Sequence, residues 1–407
     1  MDVRITPKRL TGTVTPPSSK SMAHRAILAA ALSMGTSTIR GVSLSQDIEA
    51  TLRCVGLLGC DWKQPEPGTL QVRGIWGREW DPAGPATFDC GESGSTLRFL
   101  IPVVLALEGG GRFTGRGRLM ERPQEPYFAI FREKGVEYGL QDGVLTLRGE
   151  LAPGEYRLPG NVSSQFVTGL LYALHFLESD SRVVLTSPLE SGSYVEMTVQ
   201  TLASFGVRVE KRGSRELVVP GDQFCQARDV TIEGDWSQGA FWYAAMALGS
   251  PVEAAGLRED SVQGDRVAAA LARRLSQPGE AEVDLADCPD LLPPLAVMAA
   301  ARQGTTRFTG AARLRLKESD RLATVHAMLT ALGCRAEEGP DSLTVVGGPL
   351  AGGRVDGAGD HRIVMAAAIA ATACGGPVTI TGAQAVEKSY PAFWQDYKRL
   401  GGDVCVL

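Results

Sequence analysis

PPSSKSMAHRAILAAAL, residues 16–32, decides the fold because its grammar recurs. Small and polar residues come first, and an alanine- and leucine-rich helical run follows. The same order appears in CGESGSTLRFLIPVVLAL from Cys90, PGNVSSQFVTGLLYAL from Pro159 and EGDWSQGAFWYAAMAL from Glu233. It appears again in ADCPDLLPPLAVMAAA from Ala286 and GAGDHRIVMAAAIAA from Gly357. These starts lie 74, 69, 74, 53 and 71 residues apart, so one short interval interrupts a period near seventy. A fixed period of this kind marks a repeated supersecondary unit. Each unit has a second helical stretch, such as DIEATLRCVGLLGC, QEPYFAIFREKGVEY, YVEMTVQTLASFGVRVE or LKESDRLATVHAMLTALGC. In the last, Leu322, Val325, Leu329 and Leu332 share one helical face. Most end in glycine and a short β-branched strand, as in GVRVE and GGDVCVL. The reading is an α/β protein of two similar halves built from six units.

The composition narrows the function. The 407 residues are 44% hydrophobic and 21% charged, which is ordinary for a globular chain long enough for two domains. A net charge of −5 argues against a nucleic-acid or anionic-membrane partner, so any anion site must come from local clustering. The eight cysteines include no C-x-x-C pair and the four histidines no ligand spacing, which gives poor support to a disulfide framework or a structural zinc site. Buried free thiols in a reducing cytoplasm are expected. MDVRITPKRL shows no secretory apolar segment, and runs such as IVMAAAIAATACG are too short for a membrane span. No G-x-G-x-x-G follows a strand and no Walker A sequence occurs, which disfavours a dinucleotide fold.

The helix mouths carry the chemistry. A helix start exposes unpaired N–H groups and partial positive charge, and small residues let a ligand approach them. Ser21 and Arg25 are four apart and share a face, with Lys20 just outside. GESGSTLR sets Gly94 among Ser93, Ser95 and Thr96, with Arg98 behind, and NVSSQF offers Ser163, Ser164 and Gln165. Capping explains any one of these. Together with Arg122, Arg321, Arg362 and Lys388 they place a basic residue near many of the mouths of an acidic protein. That pattern fits a small, multiply charged anion. Asp290 in ADCPDLLPP and Glu318 in LKESDR are acids among these cations, and the spacing puts Glu318 and Arg321 on adjoining helical faces. A carboxylate beside cations stays ionised, and Asp290 is placed to accept a proton from a substrate hydroxyl. Asp320 reads as a helix-start acid.

Nine ordered motifs now resemble one family: PPSSKSMAHRA, CGESGSTLRFL, RLMERP, GNVSSQFVTGLL, SGSYVEMT, DCPDLLPPLA, RLKESDRL, GDHRIVMA and EKSYPAFW. The chain is similar, from Lys20 to Lys388, to the 3-phosphoshikimate 1-carboxyvinyltransferases, the EPSP synthases. The resemblance implies two domains, each of three βαβαββ units, with helix N-termini facing an interdomain cleft. Crossings near residues 14–16 and 232–235 would leave 1–15 plus 234–407 as the phosphoenolpyruvate side and 16–233 as the shikimate 3-phosphate side. It also implies transfer of the enolpyruvyl group of phosphoenolpyruvate to the 5-hydroxyl of shikimate 3-phosphate through a tetrahedral adduct, with no metal or organic cofactor. A cytoplasmic monomer with no nucleic-acid or membrane partner is expected.

Carried over motif by motif, Ser21 and Arg25 would hold the carboxylate of shikimate 3-phosphate. Ser163, Ser164 and Ser191 would hold its phosphate, and Gln165 would lie against its ring. Gly94, Arg122, Gln165, Arg321, Arg362 and Lys388 would hold phosphoenolpyruvate, with Lys20 between both ligands. Asp290 would be the base for the 5-hydroxyl and Glu318 the proton donor to the methylene carbon, with Lys317 near the reacting oxygen and, like Asp290, beside shikimate 3-phosphate. Tyr194 matches a family tyrosine near the phosphate. Three residues depart from the family pattern: Glu92 in the glycine loop, Arg313 before R-x-K-E, and Phe99 after Arg98. Glu92 must point away from the ligand or pair with a cation. Gly94 leaves room for glyphosate, the family's phosphoenolpyruvate-competing inhibitor, so binding is expected.

Three other activities fit less well. An enolpyruvyl transferase for a UDP-amino sugar would carry a loop cysteine near RGRLMERP, and that segment has none. RNA 3′-phosphate cyclisation would need a nucleophilic histidine, for which only His361 stands at a helix mouth. A non-catalytic anion sensor would gain nothing from Asp290 and Glu318.

Overall fold

A computed structural model describes residues 1–76 and 86–407. The chain divides into two compact parts, Ser18–Ile232 and Met1–Pro17 with Glu233–Leu407, called here the N-terminal and C-terminal halves. Each half has its own apolar core. The repeat seen in the sequence is a strand, a helix, a parallel strand, a second helix, and an antiparallel strand pair. In spatial order the strands run first, second, fourth, third. Thr87–Asp89, Gly110–Thr114, Val144–Arg148 and Glu137–Gln141 form one such sheet. Glu155–Leu158, Ser181–Leu185, Glu216–Val219 and Glu210–Arg212 form the next. Ala281–Asp284, Gly304–Thr309, Leu343–Gly347 and Arg335–Glu338 repeat the order in the C-terminal half.

Two sheets are completed by distant chain. Val3–Thr6 enters as the fourth strand beside Val378–Thr381 and Asp403–Val406, which ties the N-terminus to the C-terminal half. Val230–Thr231 enters as the first strand beside Thr36–Arg40. The sixth repeat, opening at Glu233, consists of Gly12–Val14, the helix Trp236–Ala247, the parallel strand Val252–Ala254 and the helix Ala268–Leu275. Only five residues then separate that helix from the next repeat's first strand at Ala281, so there is no strand pair. The missing pair is the physical reason for the 53-residue interval in a period near seventy.

The first helix of each repeat is apolar nearly all round, and such a helix is stable only when buried on every side. Ala23 to Ala31 are all buried in Lys20–Ala31, as are all of His361–Ala371 and Leu292 to Ala300 of Leu292–Ala301. Alanine permits close helix contact without losing helix propensity. Gly169 permits a closer one. A Cβ there would stand 2.3 Å from both the Arg98 carbonyl and the Tyr127 hydroxyl, so the helices Gly94–Glu108 and Ser164–Leu174 meet only because this residue has none. All eight cysteines are free, and seven are buried. No described helix is long and apolar enough to cross a membrane.

Candidate active site

In the N-terminal half, Ser19 caps Lys20–Ala31 by accepting the Met22 N–H at 3.4 Å. The Lys20 ammonium lies 2.5 Å from Asp47 Oδ2. Asp47 stands in the first turn of Gln46–Leu57, where the helix end favours an acid. Arg25 is buried one turn into its helix. Its Nη1 donates to the Ser21 carbonyl at 2.7 Å, which confirms the shared face. Nε donates to Thr198 Oγ1 at 2.9 Å, and Nη2 to the Tyr194 carbonyl at 2.8 Å and Thr168 Oγ1 at 3.4 Å. The guanidinium also lies over Phe99, 5.2 Å from the ring centre, so the residue that departs from the family pattern forms its floor. Burial pulls the Arg25 pKa down to about 10. Protein acceptors thus fix Arg25 in place.

The loop before Gly94–Glu108 is capped by Ser93, which accepts the Thr96 N–H at 3.2 Å. Gly94 is the first helical residue, and the Arg122 guanidinium rests on it: a Cβ there would come 2.7 Å from Nη1. Arg122 is 8% exposed, and among the described residues nothing bonds or ion-pairs its guanidinium. A buried cation without a counter-ion is costly, and an anion beside it would offset that cost. Arg98 donates to Gln165 Oε1 at 2.8 Å, and Gln165 Nε2 donates to Ser95 Oγ at 3.0 Å. These bonds join the starts of two helices. The Glu92 carboxylate lies against Gly117, where a built Cβ would approach Oε2 to 2.7 Å. Ser163 caps Ser164–Leu174 by accepting the Gln165 N–H at 3.3 Å. Ser191 precedes Gly192–Ser204 with φ 55° and ψ 44°, a left-handed conformation rare for serine, and its side chain does not cap the helix. Such backbone strain is concentrated at functional positions.

In the C-terminal half, four helix starts converge on one acid–base cluster. Asp290 sits in a 3-10 turn, Pro289–Leu291, that leads into Leu292–Ala301. Its carboxylate receives Arg321 Nη1 at 2.7 Å, Arg362 Nη2 at 3.1 Å and Lys317 Nζ at 3.3 Å. Burial pushes its pKa up, but Arg362, Lys317 and Arg321 outweigh burial and hold it well below the usual carboxylate range. Burial lowers the Lys317 pKa despite Asp290 beside it. Arg321 opens the helix Arg321–Ala331 and is 1% exposed. It donates to Glu318 Oε2 at 2.6 Å and, through Nε, to Asp360 Oδ2 at 2.8 Å. Arg362 Nη2 also donates to Ser237 Oγ at 3.0 Å, and Ser237 is held by Asp235, the cap of Trp236–Ala247. Lys388 Nζ donates to the Gly359 carbonyl at 2.7 Å.

Several readings need adjustment. Glu318 is not on the helix with Arg321, because that helix begins at Arg321 after its cap Asp320. The pair still meets, since an extended turn and an i,i+3 helical step both bring these side chains together. The Asp320 reading holds: its Oδ1 accepts the Ala323 N–H at 3.1 Å. Arg313 is turned to the backbone, donating to the Ala286 carbonyl. His361 is 1% exposed, a buried core position. Sequence reasoning missed Asp47, Asp235 and Asp360. All three are acids at helix starts, and Asp360 does double duty, accepting the Arg362 N–H at 2.9 Å while holding Arg321. The signal was present in GDHR and EGDWS as an acid directly before a helix.

Comparison with known proteins adds a second line of argument. The profile of the family described as EPSP synthase (3-phosphoshikimate 1-carboxyvinyltransferase) matches residues 5–397. A 3-phosphoshikimate 1-carboxyvinyltransferase of Clostridium novyi is 42% identical, over 98% of each chain. One from Clostridioides difficile is 40% identical, over 99% of this chain and 98% of its own. Among solved structures, EPSP synthase from Acinetobacter baumannii superposes with a TM-score of 0.81 at 24% identity, covering both chains in full. The enolpyruvyl transferase NikO from Streptomyces tendae does so with a TM-score of 0.77 at 18% identity, over 99% of this chain and 98% of its own. At these identities the structural likeness speaks for the fold alone.

Proposed function

The chain belongs to the EPSP synthase family, and from that membership we propose how its residues divide the work. It transfers the enolpyruvyl group of phosphoenolpyruvate to the 5-hydroxyl of shikimate 3-phosphate, releasing phosphate, in aromatic amino-acid biosynthesis. The observation that carries the residue assignments is Asp290 held among three cations with Glu318 one arginine away.

Shikimate 3-phosphate takes Ser21 and Arg25 at its carboxylate and Ser163, Ser164 and Ser191 at its phosphate, with Gln165 against the ring. Lys20 serves both ligands. Phosphoenolpyruvate takes Arg122 over Gly94, with Gln165, Arg321, Arg362 and Lys388. Asp290 removes the proton of the 5-hydroxyl as that oxygen attacks C2 of phosphoenolpyruvate. Glu318 delivers a proton to C3, which gives the tetrahedral adduct. Loss of that C3 proton with expulsion of phosphate then forms the enol ether. Before ligands bind, Asp290 is a poor base because its three cations stabilise the carboxylate. An anionic ligand competes for Arg321, Arg362 and Lys317, so substrate binding itself raises the basicity of Asp290. The same ligand competes with Glu318 for Arg321 Nη2. The two domains bounded near residues 14–16 and 232–235, and a cytoplasmic monomer acting on these two small anions, on no nucleic acid and at no membrane, belong to the same proposal.

The test is phosphate release from phosphoenolpyruvate with shikimate 3-phosphate or UDP-N-acetylglucosamine in parallel. Release with shikimate 3-phosphate alone is expected. Release with the nucleotide sugar alone would overturn the acceptor assignment. A second expectation concerns Gly94. Gly94→Ala must displace the Arg122 guanidinium, because the new Cβ and Nη1 cannot both occupy positions 2.7 Å apart. Losing one charge-assisted bond predicts a KM for phosphoenolpyruvate raised by roughly tenfold or more, with the KM for shikimate 3-phosphate little changed. An unaltered phosphoenolpyruvate KM would remove Arg122 from that site. Glyphosate should compete with phosphoenolpyruvate in the unsubstituted enzyme; an unchanged rate at high glyphosate and limiting phosphoenolpyruvate would contradict this.

A further inference from the structure

The sixth repeat leaves a surface that the other five cover. Where the antiparallel pair is present, its fourth strand packs on the first helix, as Leu343–Gly347 does on Leu292–Ala301. Its third strand packs on the second helix, as Arg335–Glu338 does on Arg321–Ala331. Among the described residues the repeat opening at Glu233 has neither strand, and Val252–Ala254 has only Gly12–Val14 beside it. A cavity of about 830 Å³ opens there against both helices. Trp236, Tyr243 and Met246 line it from the first helix, and Arg273 from the second. Arg266 and Glu259 line it from the connecting chain.

Its chemistry is mixed in a particular way. Trp236 and Tyr243 stack on each other, with ring centres 5.9 Å apart and planes 13° from parallel, and because Trp236 is 3% exposed the half-buried Tyr243 is the ring the cavity presents. Met246 is exposed at the rim. Arg266 donates to the Glu259 carbonyl at 3.0 Å. Among the described residues neither Arg266 nor Arg273 has an ion-pair partner, and nor does Glu259. An added strand is a poor occupant. The open edge is three residues long, follows Pro251 and carries the exposed Glu253, features that blunt strand pairing. A cavity of this volume, with the half-buried Tyr243 ring and the exposed Arg266, Arg273 and Glu259 at its rim, instead has room for a small molecule.

We infer that this cavity is a second ligand site, for a planar aromatic carboxylate. The ring lies on Tyr243, the carboxylate pairs with Arg266 and Arg273, and an amino group on the ligand would turn to Glu259. This inference does not depend on the residue roles proposed for the reaction.

Calorimetric titration of the full chain tests it, with shikimate 3-phosphate and glyphosate held at saturation so that the reaction site is filled and no turnover heat arises. The probes are indole-3-acetate, L-tryptophan and indole. Saturable one-to-one binding of either carboxylate is expected, with indole itself at least roughly tenfold weaker because it cannot meet the arginines. Arg273→Glu should weaken carboxylate binding by roughly tenfold or more and leave indole unaffected. Ala270→Trp, which fills the cavity from an exposed lining position, should abolish binding of all three probes and covers the case in which Arg273→Glu fails to fold. No saturable binding of either carboxylate at millimolar concentration would overturn the inference. So would carboxylate binding that both folded variants retain unchanged.

Discussion

Replacing Asp290 by asparagine is expected to lower kcat by about 10² to 10⁴, the range lost with a general base, while leaving the KM for phosphoenolpyruvate no higher than in the parent enzyme. The amide keeps the size of the carboxylate but cannot take the 5-hydroxyl proton. It also removes one negative charge from among Arg321, Arg362 and Lys317, so the local field becomes more favourable to an anion. Turnover and binding should therefore move independently. The fold should survive, because Arg321 keeps Asp360 and Glu318 as partners. Steady-state phosphate release and calorimetric binding of shikimate 3-phosphate, measured on the same sample, separate these effects. Full kcat would remove Asp290 from the mechanism. Loss of binding along with turnover would make it a structural counter-ion only.

The repeat was legible because two physical signals coincide in it: a capped, small-residue helix start and an apolar run that must be buried on all sides. The interval after Glu233 was visible too, but its meaning was not. A missing strand pair is seen only when the other five sheets show what belongs there. The two sheets completed by Val3–Thr6 and Val230–Thr231 were no easier, because short strands carry no record of which distant partner they join. In the candidate site the cations were legible as residues but not as states. Arg25 and Arg122 look alike in the sequence, yet one is fixed by four hydrogen bonds to protein and the other has no bonded partner among the described residues. The acids that hold two other cations, Asp47 on Lys20 and Asp360 on Arg321, were hidden because an ordinary place at a helix start explained them fully. The left-handed backbone of Ser191 could not be read at all, since nothing in SGSYVEMT demands it.

The largest stability effect should come from one of those capping acids. Asp360→Ala is expected to destabilise the C-terminal half by about 1–3 kcal/mol, the cost of a lost helix cap and a lost charge-assisted bond to Arg321, which keeps Glu318 and Asp290 as partners. Asp360 and the Arg321 side chain are 0% and 1% exposed, so solvent cannot replace the lost contact. Asp360→Asn should cost less, by roughly the 1 kcal/mol of a helix cap, because asparagine caps as well as aspartate and still accepts the Arg362 N–H. The two variants thus divide the residue's work into capping and charge. Acid pH supplies an independent check. Burial raises the Asp360 pKa, but Arg321 outweighs it and leaves the group below its ordinary value. A depressed carboxylate stabilises fully above its unfolded pKa of about 4, and the contribution is lost as pH falls from there through the folded value. The gap in urea midpoint between the parent protein and Asp360→Asn should therefore be constant from about pH 5 to 7 and close steadily below about pH 4. A gap that stayed constant down to about pH 2 would mean that the charge of Asp360 contributes nothing and that Arg321 is held by Glu318 and Asp290 alone. In that case the cluster would be organised around the two carboxylates assigned to the reaction, and phosphoenolpyruvate could not draw Arg321 away from them without loosening the helix start at Arg321.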